Sequence, residues 1–162
     1  MNKITQIQTI LGVSPDGVWG PVSQAALNTL VNTASCIHKV LASTFADPAD
    51  VASFQKCKLK GGTDQECFSV GDNGIGKWGD DTTANIPNCA LPPEDWMFLG
   101  TKARGAKVRV TANNKTVICE LRDTMPHKAN ITNGCGLDLN PAAIRALGLE
   151  PPQEIPATWE WV

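Results

Sequence analysis

The chain lacks any run of lysine or arginine long enough to follow a phosphate backbone. That excludes the electrostatic footprint of a nucleic-acid binder. It also lacks an apolar stretch near the ~20 residues needed to cross a bilayer, so no membrane span is expected. The first residues, MNKITQIQTILGV, hold no continuous apolar segment of the secretory kind. Three readings remain: export by another route, a leader already removed, or a phage protein freed by lysis. Only two histidines occur, His38 and His127, and no two cysteines form a C-x-x-C pair. Zinc-site spacing is therefore missing. The stretch GDNGIGKWGDD (71–81) is rich in Asp and Asn but lacks calcium-loop spacing, and reads as a loop rim. No metal and no cofactor are expected.

What is present suits one ordinary globular domain with a small appendage: 162 residues, 42% of them hydrophobic, with a formal net charge of −2. The cysteines are Cys36, Cys57, Cys67, Cys89, Cys119 and Cys135. Their even number favours disulfides and an oxidising compartment, with the pairing left open. All six lie after residue 35, which marks residues 1–35 as a separate unit.

In that unit, Ile4, Ile7, Ile10 and Leu11 recur at helical spacing. Gly12 can end a first helix. SPDG (14–17) is a turn, and Pro21 opens a second helix that turns Ala25, Ala26, Leu27 and Leu30 towards a partner. The stretch LGVSPDGVWGPVSQAAL (11–27) resembles the core of the peptidoglycan-binding domain found in many cell-wall hydrolases. Its Asp16-Gly17, Trp19 and Gly20-Pro21 carry the likeness, although this copy is about half the family's length. The resemblance implies glycan contacts from Asp16 and Trp19. The competing role for Trp19 is to plug a small core.

From residue 36 to 162 short β-type segments alternate with turns, and few helices intervene. KVRVTANNKTVICEL (107–121) reads as a hairpin turning at Asn113-Asn114. ATWEWV (157–162) reads as a closing strand. The stretch between residues 56 and 89 reads as long loops stapled by Cys57, Cys67 and Cys89. A mainly β fold, a small barrel, is the natural class.

GCGLDLNPAAIRALG (134–148) places Asp138 between two leucines of one parity. Leu137 and Leu139 then face the core, and Asp138 faces away. Asn140 is a helix N-cap, Pro141 suits the first helical position, and Gly148 suits the residue past the helix end.

Four segments in order resemble the double-psi β-barrel shared by expansin first domains, some endoglucanases and rare lipoprotein A. They are ASTF (42–45), CALPPEDWMFLGTKARGAKVRV (89–110), VICELRDTMPHKANITNGCGLDLNPAAI (117–144) and ATWEWV (157–162). The resemblance implies a six-stranded double-psi barrel with an open polysaccharide groove. It implies that Asp138 is the residue on which activity depends, that Thr44 hydrogen-bonds near it, and that Asp123 is a second acid. Asp123 ends a strand in partial shelter, so its pKa should rise. Asp47 is the candidate base for hydrolysis, and Trp78 a candidate sugar platform. Trp96 reads as core.

Three readings of function follow. One is a monomeric extracellular, periplasmic or wall-associated module that binds and loosens peptidoglycan or a related polysaccharide. Another is a lytic glycosidase, transglycosylase-like or endoglucanase-like, with Asp138 as general acid. The histidine that rare lipoprotein A uses has no counterpart in CALPPEDW. The third is an interaction protein that uses the barrel as scaffold.

Overall fold

The computed structural model describes residues 2–33 and 37–162. The chain divides into two compact units, one reaching to residue 36 and the other spanning Ile37–Val162.

The first unit holds helices α1 (Lys3–Ile10) and α2 (Pro21–Thr33). Asn2 caps α1 by accepting from the Ile4 N–H, and Gly12 follows the helix with φ 70°. The isoleucine stripe does not make the core that its spacing suggests, because Ile7 and Ile10 are exposed. Among the described residues of this unit the buried ones are Gln8 and Ser23. Gln8 Nε2 donates to Asp16 Oδ1, the Val18 carbonyl and Ser23 Oγ, while its Oε1 accepts the Gly17 N–H. One buried amide thus satisfies a loop that has few apolar contacts. Cys36 and the side chain of Leu30 lie outside the described residues.

The second unit is a closed six-stranded barrel. Its strands are β1 (His38–Thr44), β2 (Asn88–Leu91), β3 (Lys107–Ala112), β4 (Lys115–Thr124), β5 (Cys135–Leu139) and β6 (Glu154–Trp161). Their order around the barrel is β1-β5-β2-β4-β3-β6. Two pairings are parallel, β1 with β5 and β2 with β4, and the rest are antiparallel. Two crossed parallel pairs in one closed sheet form the double-psi arrangement. Closure leaves no free sheet edge.

Strand parity fills the barrel. Val108, Val110, Cys119, Leu121, Leu137, Leu139 and Trp159 are all buried inside it. The β3–β4 turn falls at Asn113-Asn114, both at positive φ, as a two-residue hairpin requires. Trp159 stacks on His38 at 3.9 Å where β6 meets β1.

Four α-helices decorate the barrel: α3 (Pro48–Leu59), α4 (Asp64–Cys67), α5 (Pro93–Trp96) and α6 (Pro141–Ala146). The 56–89 stretch is therefore partly helical, not a run of loops. Thr63 and Glu66 form a capping box at α4, and Asp47 with Pro48 starts α3. A disulfide joins Cys57 to Cys67, tying α3 to α4. Cys89, Cys119 and Cys135 are buried free thiols, which corrects the expected staple at Cys89. They sit inside strands, where they behave as small hydrophobes.

Asn140 organises the barrel end. It is fully buried, and its Oδ1 accepts the N–H groups of Ala143 and Asn88. Its Nδ2 donates to the carbonyls of Thr82, Ala84 and Ile86. One side chain caps α6 and fixes the loop that enters β2. Among the described residues no helix is long and apolar enough to cross a membrane.

Candidate functional site

Four strands meet in a single rung. Ser43 on β1 pairs with Asp138 on β5, Asp138 with Ala90 on β2, and Ala90 with Asp123 on β4. Register shifts lie immediately before the rung, at Leu41/Ala42 and Cys89/Ala90. Such irregularities re-aim side chains, and sheets place them beside functional sites.

Three members of the rung, Ala90, Asp123 and Asp138, line the floor of an open groove of 920 Å³. Asp50 of α3 and Asp72 line the same groove. One wall is apolar: Phe68, Val70 and Ile75 are 51%, 57% and 56% exposed. Phe68 is braced by Phe54, ring centroids 4.9 Å apart. Phe45 and Met125 are buried beneath the groove.

The acids sit in an unfavourable field. Burial raises the Asp138 pKa to about 6. The hydrogen bond from Ser43 Oγ opposes the rise, while the charges of Asp123, Asp72 and Asp50 add to it. Burial likewise raises Asp123 to about 6. Its Oδ1 accepts the N–H groups of Thr124 and Lys77, at 2.7 and 2.8 Å, which restrain the shift. Asp72 and Asp50 are also raised, in each case first by burial. Carboxylic acids that hold their protons up to mildly acidic pH can donate hydrogen bonds or protons there.

The other expected site residues lie elsewhere. Thr44 is not the partner of Asp138. It pairs with Leu139 and its hydroxyl is engaged by Gln153, accepting that N–H at 2.7 Å. The neighbour Ser43 takes the role, because the register shift in β1 sets Ser43 opposite Asp138. Asp47 is not a base facing the groove. It is buried and caps α3, accepting from Ala49 and Asp50 N–H groups. The sequence Asp-Pro followed by helix formers carried that signal. One helical turn on, Asp50 reaches the groove instead. Trp78 is not a platform, since it packs edge-on against Trp96 at 5.3 Å and does not line the groove.

Asp16 and Trp19 belong to the first unit. Asp16 Oδ1 is occupied by Gln8 and the Val18 N–H, so it shapes the loop. Trp19 is 37% exposed, so it does not plug a core, and its Nε1 donates to Gln24. His127 is exposed and contacts Glu94 at the surface.

No family model matches the chain, and no curated protein sequence matches it. Solved structures do resemble it. A Streptomyces papain inhibitor is 19% identical, with TM-score 0.48, over 78% of this chain and 94% of that one. The apo expansin of Clavibacter michiganensis is 20% identical, with TM-score 0.48, over 78% of this chain and 50% of that one. A point mutant of that expansin in complex with cellohexaose is 17% identical, with TM-score 0.44, over the same shares. The chain thus matches about half the length of the expansin.

Proposed function

We propose that the protein binds a cell-wall glycan in the groove above the Ser43–Asp138–Ala90–Asp123 rung and loosens the wall without cutting it. The observation that carries this reading is the rung itself. Two acids of raised pKa flank a small residue on the floor of an open groove, beside an exposed apolar wall. A sugar chain offers hydroxyl groups to the acids and a C–H face to Phe68. The capping role of Asp47 removes the base expected for hydrolysis, and among the described residues only Asp50, Asp72 and Asp123 line the groove with Asp138 as acids.

Among wall polymers we take one with N-acetylated sugars, as in peptidoglycan, as the first ligand to test, ahead of cellulose. A flat glucan face is matched by broad rings. The chain has five tryptophans and no tyrosine, and no tryptophan lines the groove. Val70 and Ile75 line the groove with Phe68 and offer apolar surface on which an acetamido methyl group could pack. The first unit, with Trp19 partly exposed, would add a second contact to the same polymer. The Cys57–Cys67 disulfide supports an extracellular, periplasmic or wall-associated setting.

A second reading, a lytic glycosidase, is favoured by one observation: Asp123 and Asp138 both titrate near 6, where a general acid is effective. Incubation with purified peptidoglycan and with cellulose separates the two. Retention on peptidoglycan without released fragments, lost in Asp138→Asn, supports the loosening module. Muropeptides or reducing ends that disappear in Asp138→Asn support the glycosidase. Absence of retention and of product on both polymers removes the glycan reading.

A further inference from the structure

Residues 72–81 form an arch that supplies part of the groove wall, through Asp72, Asn73, Ile75, Gly76 and Lys77. The arch closes on itself by a bridge between Ile75 and Asp81 and by the Gly76 N–H to the Asp80 carbonyl at 2.8 Å. Its backbone presses on the barrel. A Cβ at Gly76 would lie 2.2 Å from the Arg122 carbonyl oxygen. A Cβ at Gly71, at the foot of the arch, would lie 2.2 Å from the Asp50 carbonyl oxygen on α3. No larger residue fits either seat.

One side chain of the arch binds the barrel by charge. Asp80 accepts two bonds from Arg104, Nε at 3.0 Å and Nη2 at 2.8 Å, and a third from Arg122 Nη1. Arg122 is itself held by Glu120, which also takes Lys107. Bidentate arginine–carboxylate bonds fix geometry as well as supply energy. The Asp80 side chain is only 11% exposed, so solvent screens it less than an open surface pair. Arg122 precedes Asp123 on β4, and the arch returns the Lys77 N–H to Asp123 Oδ1. The same strand end therefore anchors the arch and receives a hydrogen bond from it.

We infer that Asp80 is a positioning residue: through Arg104 and Arg122 it seats the arch so that the Lys77 N–H stays on Asp123 and the groove wall keeps its place. Its bearing on binding rests on the glycan reading of the groove. The groups facing Asp123 are the Thr124 and Lys77 N–H donors, the Lys77 ammonium and the carboxylates of Asp72 and Asp138. Of these, the Lys77 groups and Asp72 belong to the arch.

The test uses the full chain with Asp80→Ala, Arg104→Ala and the conservative Asp80→Glu. Carbon-detected NMR follows the Asp123 carboxyl through pH, and calorimetry measures chitohexaose binding. Asp80→Ala should shift the Asp123 midpoint by about half a pH unit or more, because the arch carries a donor to the charged form, part of the burial and the Asp72 charge that set it. It should weaken chitohexaose about tenfold through the misplaced wall. Asp80→Glu should recover most of both effects. A salt link that only stabilises the fold would lower the melting temperature and leave the Asp123 midpoint where it is, and that result overturns the inference. Should Asp80→Ala not fold, Arg104→Ala removes the more exposed half of the clamp, and an unmoved midpoint there overturns it equally. If the wild type ignores chitohexaose, the glycan reading fails, while the Asp123 midpoint still decides the role of Asp80.

Discussion

Asp123 and Asp138 are register partners of one residue, Ala90, on its two opposite sides. Two strand spacings, about 9.6 Å, therefore separate their backbones. The gap between them is kept open because Ala90 carries only a methyl group and is almost fully buried. Ala90→Val would push two methyl groups into that space. A stability loss of about 1–2 kcal/mol from overpacking is expected. Glycan affinity should fall at least as far, since the added bulk stands on the groove floor. Thermal melting and calorimetry on the same samples check both.

The raised acids set the direction of the pH response. Folded Asp123 and Asp138 titrate near 6, against ~3.9 in an unfolded chain. Between those values the folded protein holds protons that the unfolded chain has released. These two groups therefore contribute stability below pH ~4 that is lost as pH rises through 6. Asp80 and Glu120 act in the opposite sense at lower pH. Hydrogen bonds from Arg104 hold Asp80 low, and the bond from Lys107 leads in holding Glu120 low. The melting temperature should rise as pH falls from 7 to 5. Asp138→Asn should raise stability at pH 7 by about 2 kcal/mol and flatten this slope. A variant less stable than wild type at pH 7 would contradict the buried-charge assignment.

The disulfide bears on the groove wall. Cys67 ends α4, and Phe68 and Val70 of the wall follow directly. Gly62 packs so close that a Cβ there would lie 2.6 Å from Cys57 Sγ. The bond closes a short loop, for which about 2–3 kcal/mol of stabilisation is usual. Reduction, or the Cys57→Ser and Cys67→Ser pair, should lower the melting temperature. It should also weaken glycan binding more than Phe68→Ala alone does, because the whole wall loosens. Unchanged affinity after reduction would show that the wall is held by other contacts.

Asn140 joins five hydrogen bonds in a fully buried site. Asn140→Ala removes the α6 cap and the acceptor of the Asn88 N–H, and takes a donor from the Thr82 and Ala84 carbonyls, while the Ile86 carbonyl keeps Asn88 Nδ2. The expected cost is about 3 kcal/mol or more. Asn140→Asp is a sharper probe. It keeps the two accepted bonds, loses the three donated ones and adds a buried charge, so it should be at least as damaging. Chemical denaturation of the two variants reads this directly.

What the chain announces in advance is local. Leu137, Asp138 and Leu139 alternate as strand parity dictates, and Asn140, Pro141 and Gly148 bound α6 because each needs only its neighbours. The hairpin at Asn113-Asn114 is legible for the same reason. The choice of Ser43 over Thr44 is not, since it depends on register shifts that no single strand encodes. Asp47 and the capping box at Thr63 were readable as helix starts, but the Gly- and Asp-rich surroundings favour a loop reading. The groove wall at Phe68 and Val70 depends on the disulfide pairing, which spacing leaves open. Gln8 stands at a polar position between isoleucines. Its burial reflects the unmet backbone groups of the 14–20 loop, a demand that hydrophobic periodicity does not register.

Glycan binding in the groove is tested by titrating isotope-labelled protein with chitohexaose, read by backbone and carboxyl NMR. Shifts should concentrate at Phe68, Val70, Lys77, Asp123 and Asp138, and be abolished or strongly reduced in Asp138→Asn. Saturable shifts confined to other faces of the barrel, with the groove resonances unmoved, would contradict it.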